Sequence, residues 1–237
     1  MIESPIITLD VDWAPDFILE EISEFFIKKK IKTTWFVTHE STIIEKLRKN
    51  SLFEIGIHPN FKENSTQGEN PGKILMNLKN IVPEAKSIRT HSLIQSSQLL
   101  NSFHKFGIEN DVSLFLENTS NIQPHYSKYL KLFRFPFFWE DDITMFYGFS
   151  KDHIEEIIKK PGMKIFNFHP IHIYLNSKTI KNYKEAIKNK KMQEIKKLDL
   201  EQYINLKYGT RDFLEDLINK LDNQSYKIKE LKNYFES

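Results

Sequence analysis

Cysteine is absent from the 237-residue chain, which excludes a disulfide framework, a thiolate nucleophile and a thiolate metal ligand. Long apolar runs are missing too. No stretch approaches the roughly 20 residues that cross a bilayer, so no membrane span is expected. The N-terminus carries no basic segment followed by an apolar core, and the expected location is the cytoplasm. Charge of one sign is not in excess: 34 Lys and Arg against 32 Asp and Glu leave a net charge of +2. The two signs are interspersed, so composition calls for no nucleic-acid partner. The Lys-rich stretch 178–197 reads as a solvated helix face, because no aromatic-basic interleaving accompanies it. Linkers, internal repeats and low-complexity segments are lacking, and a single domain over residues 1–237 is expected. Hydrophobic residues make up 40% of the chain, and its 19 phenylalanines are ample material for a core.

Strand-like and helix-like segments alternate along the sequence. The apolar run Pro5-Ile6-Ile7-Thr8-Leu9 is a first strand. A helix follows, with Pro15 in its first turn, a buried stripe of Ile18, Ile22, Phe25 and Phe26, and three lysines at its negative end. Further strands are expected at 33–37, 53–57, 87–90, 112–116, 131–135 and 163–168. Helices are expected near 41–50, 73–81 and 96–105, and from a Ser150 cap to Pro161. The tail should be helical over 178–207 and 211–221. The polar segment 59–72, bounded by Pro and Gly, reads as a functional loop. About seven strands alternating with helices imply an α/β fold with a parallel sheet. The length suits a closed or nearly closed barrel; an open doubly wound sheet is the other arrangement.

Polar residues collect where such folds keep their chemistry, at the C-terminal ends of the strands. The first strand ends in Asp10 and Asp12, whose i, i+2 spacing aims both carboxylates to one side. Two like charges that close call for a cation or a donor between them. The third strand ends in His58-Pro59-Asn60, the fourth in Arg89-Thr90-His91, a later one in Arg134 and then Trp139-Glu140-Asp141-Asp142, and the last in Asn167, His169 and His172. Each has a plainer explanation: the aspartates can cap the next helix, a lone histidine can be a bonded loop residue, and Arg134 can snorkel at an edge. Trp13 and Trp139, beyond strand ends, fit either a core or the wall of a sugar site.

The pieces Thr8-Leu9-Asp10-Val11-Asp12-Trp13, Glu54-Ile55-Gly56-Ile57-His58-Pro59, Ile88-Arg89-Thr90-His91 and Ile165-Phe166-Asn167-Phe168-His169-Pro170 resemble, in order, the motifs of the polysaccharide deacetylase family. This is the NodB-homology group, or carbohydrate esterase family 4. The resemblance implies a distorted (β/α)7-type barrel, here with a helical C-terminal segment. It also implies a divalent metal, zinc first, and removal of N-acetyl or related acyl groups from a sugar or glycan. By the same resemblance Asp10 matches the catalytic base, Asp12 the metal carboxylate and His58 the first metal histidine. Arg89 matches the arginine that holds the base, and His169 the general acid.

The sequence departs from the family at two points. Lys62 stands where a second metal histidine is usual, and Thr90-His91 replaces the family's x-Pro after the arginine. His91 is therefore the first candidate for the third metal ligand, with Asn60 as its substitute. Trp13, Arg134, Trp139 and His172 are candidate substrate contacts. Two rival readings stay open: a catalytically altered binding or scaffold protein of the same fold, and an Asp-x-Asp glycosyltransferase.

Overall fold

Three parallel strands rich in apolar residues form the centre of the structure, a computed structural model that describes residues 5–235. The strands β1 (Ile6–Asp10), β2 (Thr33–Val37) and β3 (Phe53–Ile57) are buried along their whole length, as expected where helices cover a parallel sheet. Shorter strands extend it on both sides: β4 (Ser87–Ile88), β5 (Asn110–Asp111), β6 (His125–Ser127), β7 (Leu132–Arg134), β8 (Trp139–Glu140) and β9 (Ile165–Phe168). The order across the sheet is β6-β7-β5-β4-β3-β2-β1-β9-β8. Every pairing is parallel except β6 with β7.

The sheet closes through one piece of chain. Phe135 N–H donates to Asp111 O and Phe137 N–H to Leu114 O, whereas the next residue, Phe138, donates to Ile165 O. Residues 132–140 thus touch β5 on one side and β9 on the other. Counted as one stave, this segment joins β1, β2, β3, β4, β5 and β9 in a distorted (β/α)7-type barrel, with β6 as an added antiparallel edge.

One face of the strands, read every second residue, points into the barrel. It carries Thr8 and Asp10, Thr34 and Phe36, Glu54 and Gly56, Ser87 and Arg89, and Asn167, and these side chains meet across the sheet. Gly56 is required there by space: a Cβ would lie 2.6 Å from Ser87 O and 2.8 Å from the Phe36 ring.

Helices coat the outside by ordinary signals. The helix α1 (Asp16–Lys29) starts after Pro15 and buries Ile18, Leu19, Ile22 and Phe26. In α2 (Thr42–Arg48) the Ser41 side chain accepts the Ile43 and Ile44 N–H groups as an N-cap. Asn70 caps α3 (Pro71–Ile81), Ser96 caps α4 (Ser97–Phe103) and Ser150 caps α6 (Lys151–Lys159). The stripe Phe213, Leu214, Leu217, Ile218 and Leu221 seats α10 (Thr210–Asn223) on α6 and on α7 (Pro170–Leu175).

Three expectations need correction. Residues 112–116 are not a strand; β5 precedes them, and of the neighbouring segment they pair only with Phe137. The 178–207 stretch breaks into α8 (Ile180–Ala186), single turns and α9 (Lys197–Leu200), because its few apolar residues supply no continuous stripe. The helix α5 (Asp141–Tyr147) was not foreseen. After α10 the chain crosses the N-terminal end of the barrel. There Lys229 N–H donates to Pro5 O, Leu231 N–H to Thr34 Oγ1 and Lys232 N–H to Glu54 Oε2. Among the described residues no helix is long and apolar enough to cross a membrane.

Candidate active site

At the C-terminal mouth, β1 ends at Asp10 and the backbone turns through two left-handed residues, Asp12 (φ 43°) and Trp13 (φ 58°). Asp12 therefore owes its position to this turn, not to strand alternation, and the Trp13 N–H is held by Thr38 Oγ1 at 2.9 Å. Asp12 Oδ1 lies 3.1 Å from His58 Nε2 and 3.1 Å from His91 Nδ1, and those two nitrogens are 3.4 Å apart. His58 donates its Nδ1–H to Arg89 O at 2.7 Å, so its Nε2 lone pair faces the other two atoms.

Such a triangle suits a metal. A tetrahedral ion with bonds of about 2.0–2.1 Å keeps its ligand atoms roughly 3.4 Å apart, close to the spacing found. Two imidazole lone pairs beside a carboxylate are also the donor chemistry of a divalent zinc-type ion. The residues present fit such an ion, and they leave room in its coordination for a water or substrate oxygen.

Next to the triangle, the nearly solvent-free Asp10 carboxylate accepts from Arg89 Nη1 at 3.0 Å and from Asn167 Nδ2 at 2.9 Å. The Arg89 guanidinium is sandwiched between Phe36 and Phe137, each ring centroid 4.6 Å away, and it also donates to Thr8 Oγ1 and to Asn167 Oδ1. Burial alone would raise the Asp10 pKa; Arg89 first, then His58 and His169, outweigh it and hold the carboxyl below its ordinary value. Glu140 shares Asn167 Nδ2 at 3.1 Å, and burial with the neighbouring carboxylates pushes it up to about 7 despite His169.

On the far side, His169 follows β9. Its Nδ1 meets the fully buried Asp141 carboxylate at 2.7 Å, and Asp141 also accepts the His169 backbone N–H at 2.9 Å. Its Nε2 points back to Asp12 Oδ2, 3.8 Å away. Burial opposes a charged imidazole, yet Asp141 and Asp142 outweigh that cost and raise His169 well above its usual range.

The remaining candidates divide clearly. Asn60 turns its Oδ1 back to the Lys62 N–H at 3.0 Å, and Lys62 lies exposed on the loop, away from the triangle. Trp13 stands edge-on to His91, 5.2 Å between ring centres. Arg134 is tied to the buried Asp111 at 2.8 Å and to Gln95. Trp139, 2% exposed and stacked on Phe213, belongs to the core and does not wall a sugar site. His172 sits 2.7 Å from Asp142 Oδ1. Gln67 fixes the 59–70 loop: its Nε2 donates to Thr38 O and His58 O, and its Oε1 accepts the Asn60 N–H. Asp141, Asn167 and Gln67 gained no role from sequence reasoning, although the acidic run at 140–142 was the available signal for Asp141.

A family model described as WbmS-like polysaccharide deacetylase matches residues 7–187. The crystal structure of WbmS from Bordetella bronchiseptica, described as a polysaccharide deacetylase involved in O-antigen biosynthesis, superposes with a TM-score of 0.80 at 29% identity, covering 92% of this chain and 90% of that one. The peptidoglycan N-acetylglucosamine deacetylase Bc1960 shares the fold at a TM-score of 0.55 and 14% identity, over 99% and 89% of the two chains. So does BA3943 of Bacillus anthracis, a pseudoenzyme of carbohydrate esterase family 4, at 0.53 and 16%, over 99% and 66%. No curated protein sequence matches the chain. On the family match across most of its length, this chain belongs to the WbmS-like polysaccharide deacetylases.

Proposed function

We propose that the protein is a metal-dependent hydrolase that removes an N-acetyl or related acyl group from a sugar in a surface-glycan intermediate. The observation that carries this reading is the convergence of Asp12, His58 and His91 within 3.1–3.4 Å, with a separately held Asp10 and His169 on either side. When bound, a divalent cation there supplies Lewis acidity and makes a water molecule more acidic.

The side chains divide the proton transfers. Asp10, kept ionised by Arg89, takes the proton of the attacking water as its oxygen adds to the amide carbon. Asn167 and Arg89 hold both Asp10 oxygens, so the base does not need to reorient. His169, charged through its contact with Asp141, gives a proton from Nε2 to the departing amine as the C–N bond breaks. The products are a carboxylate and a free amino sugar.

The substrate class rests on WbmS, whose description assigns it to O-antigen biosynthesis. The proposed compartment is the cytoplasm, as expected for a protein acting on a nucleotide-linked or lipid-linked precursor; recovery from the periplasm or medium of the host overturns it. The main experiment measures acetate release from a panel of N-acetylated nucleotide-sugars and lipid-linked sugars, with zinc counted in the same samples. Zinc-dependent release is expected, and Asp12→Ala should abolish zinc binding at the Asp12–His58–His91 triangle and, with it, release. Full zinc content and turnover in that variant would overturn the assignment. Zinc binding without release from any acylated sugar would favour a binding role without catalysis; the fold does occur in a pseudoenzyme.

A further inference from the structure

Beside the Asp12–His58–His91 triangle lies another set of ligand-type atoms, from Asp142, His169 and His172, all within 4.8 Å of one another. Both rings are fixed from behind. His169 Nδ1 is bonded to Asp141 at 2.7 Å, and His172 Nδ1 to the Ser177 hydroxyl at 3.2 Å. Tyr183 further clamps the His172 ring edge-on, 4.5 Å between centres. Anchoring one imidazole nitrogen orients the other toward a shared point, the arrangement that supports metal-ligating histidines.

Asp142 completes the set: its Oδ1 is 2.7 Å from His172 Nε2, a carboxylate–imidazole contact. Ligand atoms of one tetrahedral ion stand roughly 3.4 Å apart, so an ion bound here would part this pair by about 0.7 Å. Two imidazole nitrogens and a carboxylate oxygen form a zinc-type donor set.

The geometry points to a second divalent-cation site at Asp142, His169 and His172, abutting the first across Asp12. His169 Nε2 lies 3.8 Å from Asp12 Oδ2, so the two sites are neighbours that share no ligand atom. An ion held here uses the His169 Nε2 lone pair, the position from which the leaving amine is protonated in the proposed reaction. Filling the first site alone therefore permits turnover, and filling both blocks it. The inhibitory effect rests on the hydrolase reading; the binding site does not.

The test starts from chelator-stripped protein, titrated with zinc and counted by equilibrium dialysis and atomic emission. Wild type should take up two ions of unequal affinity, and Asp142→Asn and His172→Gln should each take up one. Wild type saturating at one ion, or both variants retaining two, overturns the site. In the deacetylation assay, the ratio of the rate in excess zinc to the rate at one equivalent should fall for wild type, and both variants should lose that fall. Two bound ions with an unchanged ratio overturn the inhibitory role. Two ions in a protein that cleaves no acylated sugar support the site and remove the hydrolase reading.

Discussion

The barrel buries a carboxylate at each end, and the two are treated oppositely. At the C-terminal mouth Asp10 faces the Arg89 guanidinium and is held below its usual pKa. At the N-terminal end Glu54 receives only neutral donors: Ser87 Oγ at 2.6 Å, Thr34 Oγ1 at 3.1 Å and the Lys232 N–H at 2.7 Å. Burial dominates there, and the Glu54 pKa rises. The same barrel thus favours the charged form of one acid at its mouth and disfavours it in another, which ties down the C-terminal segment. What differs is a fixed positive charge, not depth.

Removing that charge should have the largest effect. Arg89→Met leaves Asp10 buried without its partner, and breaking a buried pair costs about 3–5 kcal/mol; urea denaturation at neutral pH measures it. A loss well under 1 kcal/mol would mean that Arg89 is not what distinguishes the two ends. Asp10→Asn keeps the shape and should retain zinc, while turnover falls about 10²–10⁴-fold with the loss of the base; metal analysis and initial rates check both parts. Unchanged turnover would remove Asp10 from the reaction.

Gly56→Ala strikes both ends together, since its Cβ would meet Phe36, which stacks on Arg89, and Ser87, which holds Glu54. Overpacking of this kind costs about 1–3 kcal/mol, read as a lower urea midpoint. The smallest change is expected from Glu54→Gln, within about 1 kcal/mol near neutral pH. A glutamine can still accept the Lys232 N–H and donate to Ser87.

The pH dependence sharpens the contrast. Asp10, with a lowered folded pKa, contributes stability that is present above its unfolded value of about 3.9 and lost as pH falls through the folded value. Glu54, with a raised folded pKa, contributes stability that is present below about 4.3 and lost as pH rises through its folded value. Urea midpoints across pH should show the acid limb flattened by Asp10→Asn and the decline above about pH 4.3 flattened by Glu54→Gln. Identical pH profiles for both variants and wild type would contradict the opposite shifts.

Much of this arrangement was legible in the sequence because it depends on local signals. Short apolar runs marked β1, β2 and β3, and a serine cap marked α6. The alternation of strands and helices marked the α/β class with a parallel sheet, and the family resemblance implied the barrel. What escaped depends on contacts far apart in the chain. The strand β5 is two polar residues, held only by β4 and β7. Trp139 follows a strand-like run in sequence, but Phe213, brought by the C-terminal helix, makes it core. Asp141 lies 28 residues before the histidine it orients. The link between residues 114 and 137 that closes the barrel leaves no periodic trace. Arg134 read as a snorkelling edge residue or a substrate contact, and only the fold supplies its partner, Asp111.

Gln67 has one more consequence. Its three hydrogen bonds rivet the crossing between β3 and α3 to the rim beside His58 before any sugar arrives. The entropy of ordering that segment is met during folding, and a ligand touching it does not have to meet it again. Cutting the rivet with Gln67→Ala should leave the barrel intact but make sugar capture depend on first freezing a floppy rim, a slower and weaker encounter.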